Sequence, residues 1–201
     1  MKKILISMAA AAVVAMMAVS CGVVSFTGRK QLAFFPDSEI MALSEKSYVE
    51  LMKEEKVSSN AADAKLVKEV GGRMVSALRE YMKSSWQSST LSGLVWEFVL
   101  LESPQVNAFC MPSGKIVFYE GILEYADTPD YIAVVMGHEM AHAIARHGNE
   151  RMSQQYAMNL LGNVAGRIIG EQKGEVAQSL FNLGFGVGAK AGVMLPYSRK
   201  H

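Results

Sequence analysis

Residues 131–145, YIAVVMGHEMAHAIA, form an apolar stretch that contains only three strongly polar side chains, His138, Glu139 and His142. The preceding Thr-Pro-Asp at 128–130 is a strong helix start. Threonine caps the first free amides, proline fits the first turn, and aspartate complements the positive end of the helix. The sequence therefore predicts a helix that begins here. Because the stretch is apolar almost all round, we expect this helix to be central and buried.

The three polar side chains of this helix have the spacing of a zinc site. Histidines four residues apart lie on the same face, so His138 and His142 can both reach one ion at about 2.0–2.1 Å. Glu139 is rotated from His138 by about 100°, which suits a general base that acts on a water bound to the metal. Two imidazoles and a carboxylate in apolar surroundings cost several kcal/mol unless something satisfies them, and a metal does so. The alternative is a hydrogen-bonded structural histidine pair without a metal.

A third zinc ligand is needed, because a catalytic zinc takes three protein ligands and a water. His147 lies five residues after His142, and at about 100° per residue a continuous helix would turn it away from the two ligands. We therefore expect His147 to support the site or the fold and not to bind the metal.

The pattern of the first 20 residues predicts a signal peptide. Lys2 and Lys3 precede an apolar run at 4–19, which is short for a membrane span of about 20 residues. Ala-Val-Ser-Cys at 18–21 resembles a bacterial lipobox, so we expect residues 1–20 to be removed and Cys21 to carry the lipid that anchors the protein. The alternatives are an ordinary signal peptide with a chance cysteine, and an uncleaved anchor. If Cys21 is lipidated, Cys110 has no partner for a disulfide, and we expect it to be a small buried side chain.

The whole chain has 201 residues, half of them hydrophobic, with a formal net charge of +1. This length suits one domain with a sizeable core, and the absence of a basic excess argues against a nucleic-acid partner. We expect a linker at 21–36 and one domain at 37–201. Before the central helix, the pattern predicts helices at 38–55 and 61–83, a strand at 94–101, and two extended pieces around a Pro-Ser-Gly turn within 106–119. This order of elements indicates an α+β fold.

Two details of the first helices are predicted as well. Asp37 or Ser38 is the expected N-cap of the first helix. In the second helix, Gly71 and Gly72 are expected to serve close packing, since each glycine costs about 1 kcal/mol relative to alanine. The apolar face of the second helix is expected to consist of Leu66, Val70, Met74, Leu78 and Tyr81.

Four stretches together resemble the HtpX-, BepA- and LoiP-type zinc endopeptidases, a family related to the CAAX prenyl endopeptidases. They are GRKQLAFFP, VNAFCMPSGKIVFYEGIL, GHEMAHAIARHGNERMSQQ and LPYSRKH. The resemblance implies a mostly helical, zincin-like domain with a small sheet beside the zinc-motif helix, one zinc ion, and Glu139 as the catalytic base. In this family the third ligand is a glutamate that follows a Ser-Arg-x-His stretch. Here that glutamate is expected just beyond His201, so the C-terminal part of the domain would be missing from these 201 residues.

The resemblance also implies a substrate and a location. Residues 106–110 would form an edge strand beside the zinc, to which an extended protein or peptide substrate adds by contacts with Asn107, Ala108 and Phe109. The implied function is cleavage of misfolded or unassembled proteins in the bacterial cell envelope. The lipobox at Cys21 adds a lipid anchor, and Gly22 after that cysteine favours the outer membrane, with the enzyme facing the periplasm. The alternative is a catalytically inactive, truncated lipoprotein that acts as a chaperone-like binding or assembly factor.

Overall fold

The computed structural model describes residues 21–24, 27–85 and 87–164. The predicted signal peptide at 1–20 and the stretch LPYSRKH lie outside the described residues, as does any residue beyond His201. Within the described part, the α+β prediction is confirmed, because helices pack on a small mixed sheet. No helix in these ranges is long and apolar enough to cross a membrane.

The described elements are β1 (Cys21–Val23), β2 (Lys30–Leu32), α1 (Asp37–Glu54), α2 (Ala61–Ser84), β3 (Glu97–Leu101), β4 (Ala108–Cys110), β5 (Lys115–Tyr119), α3 (Pro129–Ile144) and α4 (His147–Val164), with short 3-10 turns at Ser88–Leu91 and Glu120–Glu124. From α1 onward the described elements follow the predicted order, although β3 begins at Glu97 and not at the predicted residue 94.

The three-stranded sheet has the order β3-β5-β4, with β5 parallel to β3 and antiparallel to β4. Both of its faces are covered. Ile116 and Phe118 of β5 belong to the core shared with α2 and α3, while Val117 and Tyr119 pack on the side of α1. A central strand covered on both faces explains why β5 is buried along its whole length. Strand β4 is the edge strand next to α3.

Helix α3 begins as predicted, because the Thr128 side chain accepts a hydrogen bond from the Tyr131 backbone N–H at 3.3 Å. The prediction that α3 is buried on all sides is wrong. Val134 is 71% exposed and Tyr131 is 58% exposed. Only one stripe of the helix is buried, and it consists of residues four apart: Ile132, Met136, Met140 and Ile144. The structure therefore places α3 over the sheet edge with an open outer face that composition did not indicate.

Helix α2 confirms the predicted bounds and most of the predicted face, because Val70 is buried and Leu66, Met74 and Leu78 are partly buried against the core. Its buried residues are Val67, Val70, Gly71, Val75 and Met82, whereas Tyr81 is 58% exposed. Gly71 packs closely, as predicted, because a Cβ there would lie 2.5 Å from the Phe98 ring. Gly72 does not, since a Cβ there would meet nothing within 4 Å.

The N-terminal segment is more structured than a plain linker. Strands β1 and β2 pair antiparallel, and β2 contacts α4. The predicted N-cap of α1 is wrong in detail. Pro36 occupies the cap position without a side-chain hydrogen bond, and α1 starts at Asp37. The division into a signal peptide, a linker and a domain stays a prediction.

Candidate metal centre

Helix α3 brings the two predicted zinc ligands together. The Nε2 atoms of His138 and His142 lie 3.0 Å apart, and their rings are nearly perpendicular with centroids 4.6 Å apart. Zinc binds imidazole nitrogen at about 2.0–2.1 Å, so one ion can reach both Nε2 atoms at this separation. His138 is exposed and His142 is half-buried. The expected desolvation cost of two buried imidazoles therefore does not apply, and the convergence of the nitrogens is the stronger reason to infer a metal.

Glu139 lies in a less polar environment than the histidines. Burial raises the pKa of its carboxyl to about 7, although the charge of Arg151 and a hydrogen bond from the Cys110 backbone N–H both lower it. A carboxyl group with a pKa near neutrality is well matched to accept and return a proton. The hydrogen bond to Cys110 also ties Glu139 to strand β4. The candidate base is therefore held against the edge of the sheet.

Strand β4 presents part of its backbone away from the sheet. The Asn107 carbonyl accepts a hydrogen bond from Tyr119 N–H, and hydrogen-bonded pairs alternate along an antiparallel ladder. The N–H and C=O groups of Ala108 and Cys110 consequently point toward the outer edge, and Cys110 N–H is the donor to Glu139. Phe109 packs its ring beside Tyr119 on the opposite face, with centroids 6.2 Å apart. Of the three residues predicted to contact substrate, Ala108 is the one whose backbone N–H and C=O groups both point to the outer edge.

The prediction that His147 points away from the ligands is wrong. Helix α3 ends at Ile144, and Arg146 adopts a left-handed backbone conformation with φ of 57°. The chain therefore does not continue as one helix, and the angular argument from 100° per residue fails. His147 turns back so that its Nδ1 lies 2.7 Å from the Nδ1 of His142. The expectation that His147 is not a ligand stays a prediction; the convergent Nε2 atoms lie on the other side of the His142 ring.

A cavity of about 340 Å³ adjoins the site on the side of the α3–α4 corner. Its lining includes His142, Cys110 and Arg151 together with residues at the start of α1 and in the loop before β3. The cavity is large enough for a substrate side chain and mixes polar and apolar groups.

Two histidines are the ligands that the described residues supply. In these ranges, no group of three His, Cys, Asp or Glu side chains lies together in a way that could hold a metal. The third ligand predicted beyond His201 lies outside the described residues. His138 and His142 fit zinc by their chemistry and by the convergence of their nitrogens.

Comparison with known proteins agrees with this geometry. The model of Peptidase family M48 matches residues 73–201, which is more than half of the chain. The chain belongs to Peptidase family M48. Members of this family are zinc-dependent metalloendopeptidases, and the recognised resemblance is therefore confirmed at the level of the family.

Several curated proteins are similar to the chain. The mitochondrial metalloendopeptidase OMA1 of Schizosaccharomyces pombe is 30% identical over 73% of this chain and 43% of its own length. The Arabidopsis thaliana protein of the same name is 33% identical over 59% of this chain and 22% of its own length. The beta-barrel assembly-enhancing protease of Escherichia coli is 32% identical over 30% of this chain and 12% of its own length. The chain thus spans less than half of the length of these relatives.

The sequence missed one charged neighbour of the site. Arg151 lies on α4, twelve residues from Glu139, and the two charges affect each other's pKa: burial lowers that of Arg151, and Glu139 raises it. No spacing rule within one helix connects these positions, because the chain turns at Arg146 between them. The sequence offered no signal that could have found this pair.

Proposed function

We propose that this protein is a membrane-anchored, zinc-dependent metalloendopeptidase that hydrolyses peptide bonds in misfolded or unassembled proteins of the bacterial cell envelope. One observation carries the proposal. The Nε2 atoms of His138 and His142 converge at 3.0 Å beside Glu139, which is itself hydrogen-bonded to an edge strand. This arrangement supports a metal-binding pair, a proton acceptor and a peptide-binding edge in one place.

The residues have distinct roles in the proposed reaction. An extended substrate would pair with the outward backbone groups of Ala108, in the manner of a strand added to a sheet edge. His138 and His142 would hold zinc, which when bound lowers the pKa of a water and polarises a carbonyl. Glu139 would take a proton from the attacking water and deliver it to the leaving amine. The raised pKa of Glu139 suits both transfers.

The proposal also includes a membrane anchor and a third zinc ligand. Cys21, at the start of β1, is the proposed site of lipidation, with the protein held at the outer membrane and facing the periplasm. The proposed third ligand is a glutamate just beyond His201. The intact mass of the protein extracted from membranes tests both points. A mass above that of residues 21–201 plus lipid supports a chain that continues past His201, while a mass equal to it supports lipidation at Cys21 and contradicts the third ligand.

Glu139→Gln is the variant that tests the catalytic role. Glutamine fills the same space but cannot take the proton, so we expect cleavage of an unfolded protein substrate to fall by about 10²–10⁴-fold while bound zinc remains. His138→Ala should lose both zinc and activity. Glu102→Gln, which removes a glutamate paired with Lys56 away from the site, is the matched control.

Cleavage by Glu139→Gln at the rate of the Glu102→Gln control would overturn the proposed reaction. Binding of unfolded proteins that persists in His138→Ala, together with no cleavage by any form of the protein, would favour the alternative of a chaperone-like binding factor.

A further inference from the structure

The contact between His142 and His147 is not needed for any step of the proposed reaction. Their Nδ1 atoms lie 2.7 Å apart, within hydrogen-bond distance, and the rings cross at 67° with centroids 4.8 Å apart. Two neutral imidazoles in this arrangement need one Nδ1 as donor and the other as acceptor. The contact therefore couples the proton position on one ring to that on the other.

We propose that His147 is a positioning residue that accepts a hydrogen bond from Nδ1–H of His142 and thereby holds the Nε2 lone pair of His142 toward His138. This inference rests on the proposed function, because it assigns a role relative to the zinc pair. The tautomer of a metal-binding histidine is set by the hydrogen bond that its other ring nitrogen makes. With the proton on Nδ1, the His142 Nε2 atom is free to coordinate, and it is this atom that lies 3.0 Å from His138.

The backbone at Arg146 is what allows His147 to reach His142. Arg146 is the non-glycine residue in the described ranges with a positive φ, at 57°. A left-handed conformation costs a residue with a side chain about 1–2 kcal/mol, so it persists where surrounding contacts enforce it. Arg146 has such contacts: its guanidinium pairs with Asp37 at 2.8 Å, and its N–H donates to the Ala143 carbonyl at 3.0 Å.

Helix α4, which begins at His147, is held in turn by residues 29–37, which we call the N-terminal strap. The Phe34 N–H donates to Ser153 Oγ at 2.9 Å. The Asn149 side-chain amide donates to the carbonyl of Phe35, also at 2.9 Å. At the other end of the strap, the two terminal guanidinium nitrogens of Arg29, Nη1 and Nη2, pair with the carboxylate of Glu150 at 2.6–2.7 Å. These contacts place the first turns of α4, and so they place His147.

The geometry shows that His147 is placed to position His142 and not to bind the metal itself. Nδ1 and Nε2 lie on opposite sides of an imidazole ring, and His147 meets the Nδ1 side of His142 while His138 meets the Nε2 side. A metal between the two Nε2 atoms would therefore be separated from the His147 Nδ1 by the His142 ring. His147 acts through His142 and not on the metal or on the substrate.

The direct test is the tautomer of His142 in the metal-free protein, read from ¹⁵N chemical shifts of histidine-labelled full-length protein at about pH 8, above the ordinary histidine pKa of about 6.5. In the wild type we expect the proton of His142 on Nδ1. In His147→Ala we expect the proton to move largely to Nε2. In His147→Asn the side-chain oxygen replaces the accepting nitrogen, so we expect the wild-type tautomer to return. A wild-type His142 with its proton on Nε2 would overturn the inference without any variant.

Zinc affinity gives the second readout, measured by competition with a chromophoric chelator. We expect His147→Ala to bind zinc about 10–100-fold more weakly than the wild type, and His147→Asn to bind within a few-fold of it. Far-UV circular dichroism with thermal unfolding checks that the variants fold. Equal affinity in the wild type and in His147→Ala overturns this inference and leaves the proposed function intact. A wild-type protein whose zinc binding does not depend on His138 overturns the proposed function instead.

Discussion

The thiol of Cys110 lies beside the candidate site, but its environment makes it unreactive. The side chain is 7% exposed and its Sγ contacts the carbonyl of Met111 at 3.4 Å. Burial raises its pKa well above the ordinary value, and the charge of Glu139 raises it further. The reactive species of cysteine is the thiolate, so a raised pKa together with burial suppresses reaction. The sequence-based expectation of a small buried residue is confirmed.

Alkylation of Cys110 tests this environment. At about pH 8 we expect iodoacetamide to modify Cys110 in the folded protein at least about 100-fold more slowly than in guanidinium-unfolded protein, because the thiolate is scarce and shielded. Peptide mass spectrometry at Cys110 measures both rates and separates this thiol from Cys21. Equal rates in the folded and unfolded protein would show that the thiol is accessible and ionised.

At the scale of single elements, α2 contains a natural matched pair of sites. Gly71 and Gly72 have the same residue type in the same helix turn, but a Cβ at Gly71 would meet the Phe98 ring at 2.5 Å while one at Gly72 would meet nothing within 4 Å. We expect Gly72→Ala to raise the free energy of unfolding by about 1 kcal/mol, because alanine favours the helix. We expect Gly71→Ala to lower it by about 1 kcal/mol, since overpacking of about 1–3 kcal/mol exceeds that gain.

Urea denaturation followed by circular dichroism measures both changes, and each glycine variant serves as the control for the other. Two variants of equal stability would contradict the close approach of α2 to β3. The difference between the two variants depends on which side of α2 faces β3.

At the scale of the whole molecule, a polar cluster connects α1 to both parallel strands. Glu97 of β3 accepts hydrogen bonds from the hydroxyl of Tyr48 at 2.8 Å and from the ammonium of Lys115 at 3.0 Å. Burial alone raises the pKa of Glu97, but these two hydrogen bonds and the charge of Lys115 outweigh it and leave the pKa below its ordinary value. Three elements that are distant in sequence are therefore joined through one carboxylate.

The contribution of this cluster to the free energy of unfolding depends on pH, and the lowered pKa of Glu97 sets the direction of that dependence. Because the folded protein lowers the pKa of Glu97, its contribution is present above the unfolded pKa of about 4.3 and is lost as pH falls through the folded value. We expect the free energy of unfolding of the wild type to fall more steeply than that of Glu97→Gln between about pH 6 and pH 3. Tyr48→Phe, which removes one of the two hydrogen bonds, should reduce the slope as well. Parallel pH profiles in all three proteins would contradict the role of the cluster.

Local patterns predicted much of the fold. The helices at Asp37–Glu54 and Ala61–Ser84 and the capped start of α3 follow from apolar periodicity and cap chemistry. The hairpin of β4 and β5 follows from extended residues around a Pro-Ser-Gly turn. What the patterns missed is orientation. The exposure of Tyr81 at the end of α2 and of the outer side of α3 depends on which neighbour each helix meets, and hydrophobicity along one helix does not encode that neighbour.

In the candidate site too, the sequence predicted one part and only the tertiary structure shows the other. The sequence by itself determined that His138, Glu139 and His142 share one helix at metal-binding spacing, because i and i+4 positions of any α-helix lie on one face. Only the tertiary structure decided that His147 contacts His142. That contact requires the left-handed turn at Arg146, which no local propensity of an arginine favours and which contacts with residues distant in sequence, such as Asp37, hold in place.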